Sequence, residues 1–202
     1  RPLRETTIKE LVNIALKTRE NTNLNKITLI GAAVGDYYDL EGLTTALESE
    51  GFQIATPSLR IDSLSRETLE TLKKSGLKSI TIAPESISTL RERINKSISD
   101  EKIFSVIKNA VDLDFNIKLY FLIGIPYESK EDIEELANYI EKIANMHKNR
   151  NYIKFSINPV IPKPQTPLQW EVYNFKEIKS KTRYLKKKLR KYSLSWLPMW
   201  LI

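Results

Sequence analysis

Short apolar runs alternate with amphipathic stretches along nearly the whole chain, and this alternation restricts the fold more than any other feature of the sequence. The runs KITLIGAAV (26–34), FQIATPSLR (52–60), KSITIAP (78–84), NIKLYFLIGIP (116–126) and YIKFSINPVI (152–161) are rich in Ile, Val and Phe and read as strands. The first is nearly continuous in its apolar character, as expected of a strand covered on both faces. Helical spacing covers 7–20 ahead of the first strand. It returns at 39–50, in a short helix capped by Ser65 and ended by Gly76, at 100–113, at 130–146 behind a Ser129 cap, and at 175–191. Five strands, each followed by a helix, predict right-handed βαβ units and a parallel α/β sheet. Strand spacing alone leaves an open sheet and a barrel equally open.

Residue usage then removes whole classes of chemistry. None of the 202 residues is cysteine, which excludes disulfides, a thiolate nucleophile and a cysteine-held metal within this chain. A single histidine, His147, excludes a multi-histidine metal site and reads as exposed and inert on a helix end. No apolar run reaches the length of a membrane span, and nothing near Arg1 resembles a signal peptide, so the expected setting is cytoplasmic with no membrane partner. The formal charge of +7 is local. Residues 176–191 hold nine bases and one acid, a net +8 that leaves the other residues at −1. A helix of this kind is either a solvated face or a contact for RNA.

In a parallel α/β sheet, ligands lie beyond the carboxyl ends of the strands. Those ends carry Gly31–Ala32–Ala33–Val34–Gly35–Asp36, then Ser58–Leu59–Arg60–Ile61–Asp62, then Ala83–Pro84–Glu85, then Ile123–Gly124–Ile125–Pro126, and Asn158–Pro159 with Pro162, Lys163 and Pro164 beyond. Arg60 and Glu85, on adjacent strand ends, suit the two poles of a zwitterion or an ion pair with each other. Gly35 and Gly124 suit close approach to a ligand or simple turns. Asp62 could cap a turn, and Pro162–Pro164 could be a stiff loop. There is no nucleophile–base pair and no GxxxxGK loop. The string IGAAVG is too loose for a dinucleotide fingerprint, which argues against a nicotinamide dehydrogenase.

Taken in order, PSLRID (57–62), IAPES (82–86) with LRERINK (90–96), KLYFLIGIPYES (118–129) and PKPQTPLQWE (162–171) resemble the radical SAM superfamily, in particular a subgroup often fused to a cobalamin-binding domain. RPLRE (1–5) is similar to the segment that follows that family's C-x-x-x-C-x-x-C motif. The resemblance implies a partial (βα) barrel in which this chain supplies about five βα units of a (βα)6 core. It implies a 4Fe–4S cluster that reductively cleaves S-adenosylmethionine to a 5′-deoxyadenosyl radical, an electron donor, and cobalamin in a domain outside this chain. The substrate stays unknown. By the same resemblance, Ala32 and Ala33 take the place of the loop that binds the methionine amino group. Ser58 and Arg60 flank the methionine carboxylate, and Glu85 meets the ribose or amino group. Ile123, Gly124 and Pro162, with residues near Val160, pack the adenine. Tyr120 lines the barrel interior.

The chain departs from the family pattern in two places. It has no cysteine, so it holds no ligand for the cluster and alone should not perform the radical reaction. Ile87 stands where glycine is expected, in a stretch one residue short, which leaves Arg91 and Arg93 outside the expected ligand set. The expected organisation is an incomplete barrel domain over 1–191 and an apolar tail over 192–202 that begins further sequence. An edge left unpaired by a missing first strand would invite dimerisation through that edge. The competing reading is a non-catalytic α/β scaffold or RNA-binding module that uses the basic last helix.

Overall fold

The computed structural model describes residues 4–31, 34–56, 58–149 and 152–196. Six parallel strands alternate with helices. The order is α1 (Ile8–Thr22), β1 (Lys26–Thr28), α2 (Leu40–Ser49), β2 (Gln53–Ala55), α3 (Arg66–Lys74), β3 (Ser79–Glu85), α4 (Ser88–Arg93), α5 (Asp100–Asp112), β4 (Asn116–Ile123), α6 (Lys130–Ala144), β5 (Ile153–Pro159), α7 (Phe175–Lys188) and β6 (Leu194–Trp196). Side chains that accept from the first-turn backbone start the helices. Thr7 and Ser129 form capping boxes with Glu10 and Asp132, while Ser65 and Ser99 cap α3 and α5.

The strands form two parallel sheets, β1–β2 and β3–β4–β5–β6. The two sheets meet where the Leu59 N–H donates to the Thr81 carbonyl at 3.1 Å. This is the curved, incomplete wall of a partial (βα) barrel. Alternation within β3, β4 and β5 divides its two faces by chemistry. Ile80, Ile82, Ile117, Leu119, Phe121, Ile123, Ile153, Phe155 and Ile157 are all buried in the core, together with apolar positions of the helices. The opposite face carries Thr81, Lys118, Tyr120, Lys154, Ser156 and Asn158, in lateral register: Thr81 beside Lys118 beside Lys154, and Tyr120 beside Ser156. Burying the first set drives folding, at roughly 1.5–3 kcal/mol for each large side chain.

Several boundaries differ from the sequence expectation, each for a physical reason. The first two strands were expected over 26–34 and 52–60 and pair only over three residues each. Leu29 still donates to the Ala55 carbonyl, but the chains then turn into single 3-10 turns at Val34–Asp36 and Ile61–Ser63. The fourth strand ends at Ile123 because Gly124 takes φ +77°, a left-handed turn. Five strands were expected, and six are present among the described residues. The sixth lies in the segment read as an apolar tail: β6 pairs with β5, Phe155 with Leu194 and Ile157 with Trp196. Residues 197–202 of that tail lie outside the described residues. His147 is half-buried rather than exposed: its ring stacks on Tyr152 at 4.6 Å and bonds to Asn149.

Candidate functional site

The loops beyond β1, β2 and β3 enclose a cavity of about 320 Å3, lined among others by Gly35, Ser58, Arg60, Thr81, Lys96 and Tyr120. Its wall depends on a close approach at Gly35. A Cβ there would stand 2.6 Å from Ser63 Oγ and 2.9 Å from Arg60 Cβ, so the two 3-10 turns touch only because position 35 has no side chain. Arg60, about half exposed, is clasped from both turns, by Asp36 at 2.8 Å and Asp62 at 3.1 Å. The hydrogen bond to Asp62 and the charge of Asp36 lift the guanidinium further above its ordinary pKa. Asp62 therefore serves as an arginine partner.

Arg60 and Glu85 sit at the same carboxyl end of the sheet and do not pair with each other. Glu85, at φ +69°, accepts from Lys96 Nζ at 2.6 Å, and that ammonium also donates to the Ala83 carbonyl at 3.0 Å. Lys96 reaches this position because Asn95 turns left-handed at the end of α4 (φ 56°), and the Lys96 N–H bonds back to the Arg91 carbonyl. Arg60 and Lys96 line the cavity, and with the three carboxylates paired to them, Asp36, Asp62 and Glu85, this rim sums to −1.

The loop that carries Lys96 is bolted down by two arginines. Arg91 is fully buried and donates to the Ser86 and Ile98 carbonyls and to Asp100, which also accepts from the Tyr139 hydroxyl at 3.0 Å. Burial and the Asp100 charge push the Tyr139 hydroxyl well above its usual range. Arg93 donates to the Tyr127 carbonyl at 2.8 Å and so ties this loop to the one after β4. Both arginines serve to hold loops in place.

A second cavity of about 310 Å3 lies beyond β4 and β5, lined among others by Gly124, Glu128, Val160, Pro162, Trp170 and Lys181. Gly124 and Pro162 therefore sit in a different cavity from Ser58 and Arg60. Ile123 is buried in the core, and it is its carbonyl that meets this end, accepting from Val160 N–H at 2.8 Å. Glu128 Oε2 accepts from the Gly124 N–H at 2.8 Å and from Lys181 Nζ at 2.9 Å. Burial pushes the Glu128 carboxyl up. For Lys181, burial pulls down, but the hydrogen bonds to Glu177 and Glu128 and their charges outweigh it and lift the ammonium.

Of the expected site residues, Ser58, Arg60 and Tyr120 line the first cavity, and Glu85 braces its Lys96. Gly124 and Pro162 line the second, and Ala32 and Ala33 lie outside the described residues. Sequence reasoning missed Lys96 and Lys181. A signal existed for Lys181, which falls on the buried stripe Ile178, Thr182, Leu185 of an otherwise solvated helix. Among the described residues no group of carboxylate, histidine or cysteine side chains could hold a metal ion, and no helix is long and apolar enough to cross a membrane.

Comparison with known proteins agrees with this architecture. Residues 1–140 match the family model described as the radical SAM superfamily. The uncharacterized protein MJ0966 of Methanocaldococcus jannaschii is 37% identical over 196 residues, covering 94% of this chain and 42% of that protein. The chain thus spans less than half the length of this curated relative. Two solved structures share the fold. Coproporphyrinogen III oxidase HemN from Escherichia coli, a radical SAM enzyme, superposes with TM-score 0.67 at 11% identity, over 91% of this chain and 45% of that one. The radical S-adenosylmethionine methyltransferase TsrM from Kitasatospora setae, with cobalamin and a [4Fe-4S] cluster bound, gives 0.64 at 9% identity, over 83% of this chain and 34% of that one.

Proposed function

The chain belongs to the radical SAM superfamily, and from that premise we propose that its first cavity is the cradle for S-adenosylmethionine in an enzyme of that family. Charge carries this reading. S-adenosylmethionine bears a sulfonium, an ammonium and a carboxylate, a net +1, and the five ionised groups of the rim sum to −1. Both signs are present, so each pole of the methionine end has a counterpart. The Asp36–Arg60–Asp62 cluster is net negative and suits the ammonium. The Ser58 hydroxyl and the Lys96 ammonium are the donors available to the carboxylate. Gly124, Val160 and Pro162, which the resemblance gives to the adenine, line the separate second cavity beyond β4 and stand outside this cradle.

When cleaved at a 4Fe–4S cluster, S-adenosylmethionine supplies a 5′-deoxyadenosyl radical. This chain has no cysteine and, among its described residues, no metal-binding group, so it does not itself fit the cluster. What its own residues contribute is orientation. They fix both charged poles on one rigid rim and set the ligand over the polar face of the sheet. Substrate, electron donor and any cobalamin belong to the whole protein.

Calorimetric titration of the chain with S-adenosylmethionine tests the reading. Ser58→Leu, which fills the cavity from an exposed position, should weaken binding at least tenfold while thermal unfolding stays unchanged. Equal affinity in wild type and Ser58→Leu would place the ligand elsewhere.

A second reading rests on α7. Lys176, Arg183, Lys187 and Lys188 are exposed there, with Arg190 just beyond its end, and have no acidic partner among the described residues. This favours RNA as a partner of that helix. A mobility-shift titration whose affinity falls steeply with salt, and falls again in a Lys187→Gln/Lys188→Gln variant, would support it. A salt-independent shift would not.

A further inference from the structure

The polar face of the four-stranded sheet holds two lysines that enter no ion pair among the described residues. Lys118 on β4 and Lys154 on β5 are direct lateral neighbours in register, so their Cα atoms are about 4.8 Å apart and their side chains leave the same face. Neither forms an ion pair among the described residues. Lys118 stands over the Tyr120 ring, at 4.8 Å, and Lys154 is exposed. Thr81, Tyr120, Ser156 and Asn158 lie on that face, all able to donate a hydrogen bond, and no carboxylate stands in the rows Thr81–Lys118–Lys154 and Tyr120–Ser156.

Two like charges side by side on neighbouring strands repel each other, and each would cost less as an apolar or neutral residue. Thr81 and Tyr120 also line the first cavity, so this pair lies directly next to the proposed cradle. It is level with Thr81 and two residues, about 7 Å, from Tyr120 toward the amino ends of the strands. We propose that Lys118 and Lys154 form an anion-binding subsite, and that the substrate processed beside the cradle carries a phosphate or carboxylate held by these two ammonium groups. The inference rests on the cradle reading. A cationic ligand on the net-negative rim and an anionic one on the lysine pair would lie adjacent on one wall, each attracted to its own half and to the other ligand. Ser156 and Asn158, in line above Lys154, would then face the uncharged part of the substrate.

The test titrates the chain with inorganic pyrophosphate and separately with succinate, and measures S-adenosylmethionine affinity in parallel. Saturable binding of one probe, weakened at least tenfold in Lys118→Gln/Lys154→Gln and retained in Lys9→Gln/Lys17→Gln on α1, is the expected result. Pyrophosphate alone would assign the anion as phosphate, succinate alone as carboxylate. Binding that survives in Lys118→Gln/Lys154→Gln, binding lost in the α1 variant, or no binding of either probe overturns the proposal. The cofactor arm separates the two readings. S-adenosylmethionine bound with neither anion bound removes the subsite and keeps the cradle, whereas anion binding without S-adenosylmethionine binding removes the cradle.

Discussion

Arg60 and Arg91 both follow a strand end by a few residues, yet the fold treats them in opposite ways. The Arg91 side chain is 1% exposed, and its donors are spent on two backbone carbonyls and Asp100. The Arg60 side chain is 54% exposed and held only by Asp36 and Asp62 at the mouth of a cavity. The comparison teaches how to tell a charge that builds the loops from one that the loops present. The building charge satisfies buried carbonyls, which would otherwise lose their hydrogen bonds altogether. The presented charge is surrounded by groups that water could equally well serve.

Breaking the buried side of this comparison should have the largest effect. Arg91→Ala strands Asp100 and the Ser86 and Ile98 carbonyls and should cost about 3–5 kcal/mol, read as a shift in the urea midpoint. A loss below about 1 kcal/mol, the value of a surface pair, would mean that Arg91 is no different from Arg60.

Lys181→Met should come next, at about 3 kcal/mol, because it leaves Glu128 buried without its partner. Here pH sharpens the comparison. The folded-state pKa of Lys181 is raised above 10.5, so its stabilisation is complete below that value and is lost as pH rises through the folded value. Wild-type stability should therefore decline above about pH 10.5, and the variant should lack that decline. Glu128 is also raised, above 4.5, so its buried carboxyl favours the fold when protonated. The deficit of Lys181→Met should shrink as pH falls toward 4.5. A deficit that is constant from acid to alkaline pH would show that the pair is packing rather than charge.

Arg60→Ala completes the series with the smallest expected change, below about 1 kcal/mol in chemical unfolding. A cost as large as that of Arg91→Ala would move Arg60 from the site into the scaffold.

The same division sets what the sequence made legible. Strands β3, β4 and β5 were readable because one face had to be apolar, and caps at Ser65 and Ser129 were readable because helix ends must satisfy their own amides. The short pairings of β1 and β2 were not. Apolar residues such as Leu59 and Ile61 continue past the last ladder bond and are buried in turns, so composition overstates strand length. Strand β6 was hidden because three residues carry too little periodicity, and only β5 beside them supplies a reason to extend. Ser58 and Arg60 were expected at this end because ligands lie beyond strand ends in a parallel sheet, and Tyr120 because the resemblance set it inside the barrel; all three line the first cavity. Lys96 escaped because its place depends on the left-handed turn at Asn95, and neither residue signals the contact alone.

The proposed cradle sets a rim of net charge −1 against a sulfonium zwitterion. It is tested most directly by titrating the chain in parallel with S-adenosylmethionine and S-adenosylhomocysteine, which differ by one methyl group and one positive charge. The account predicts that S-adenosylmethionine binds about tenfold more tightly at low salt, the effect of one unit charge beside a partly exposed net-negative site, and that the preference narrows as salt screens it. Equal affinity for the two at low salt, or tighter binding of the thioether, would contradict it.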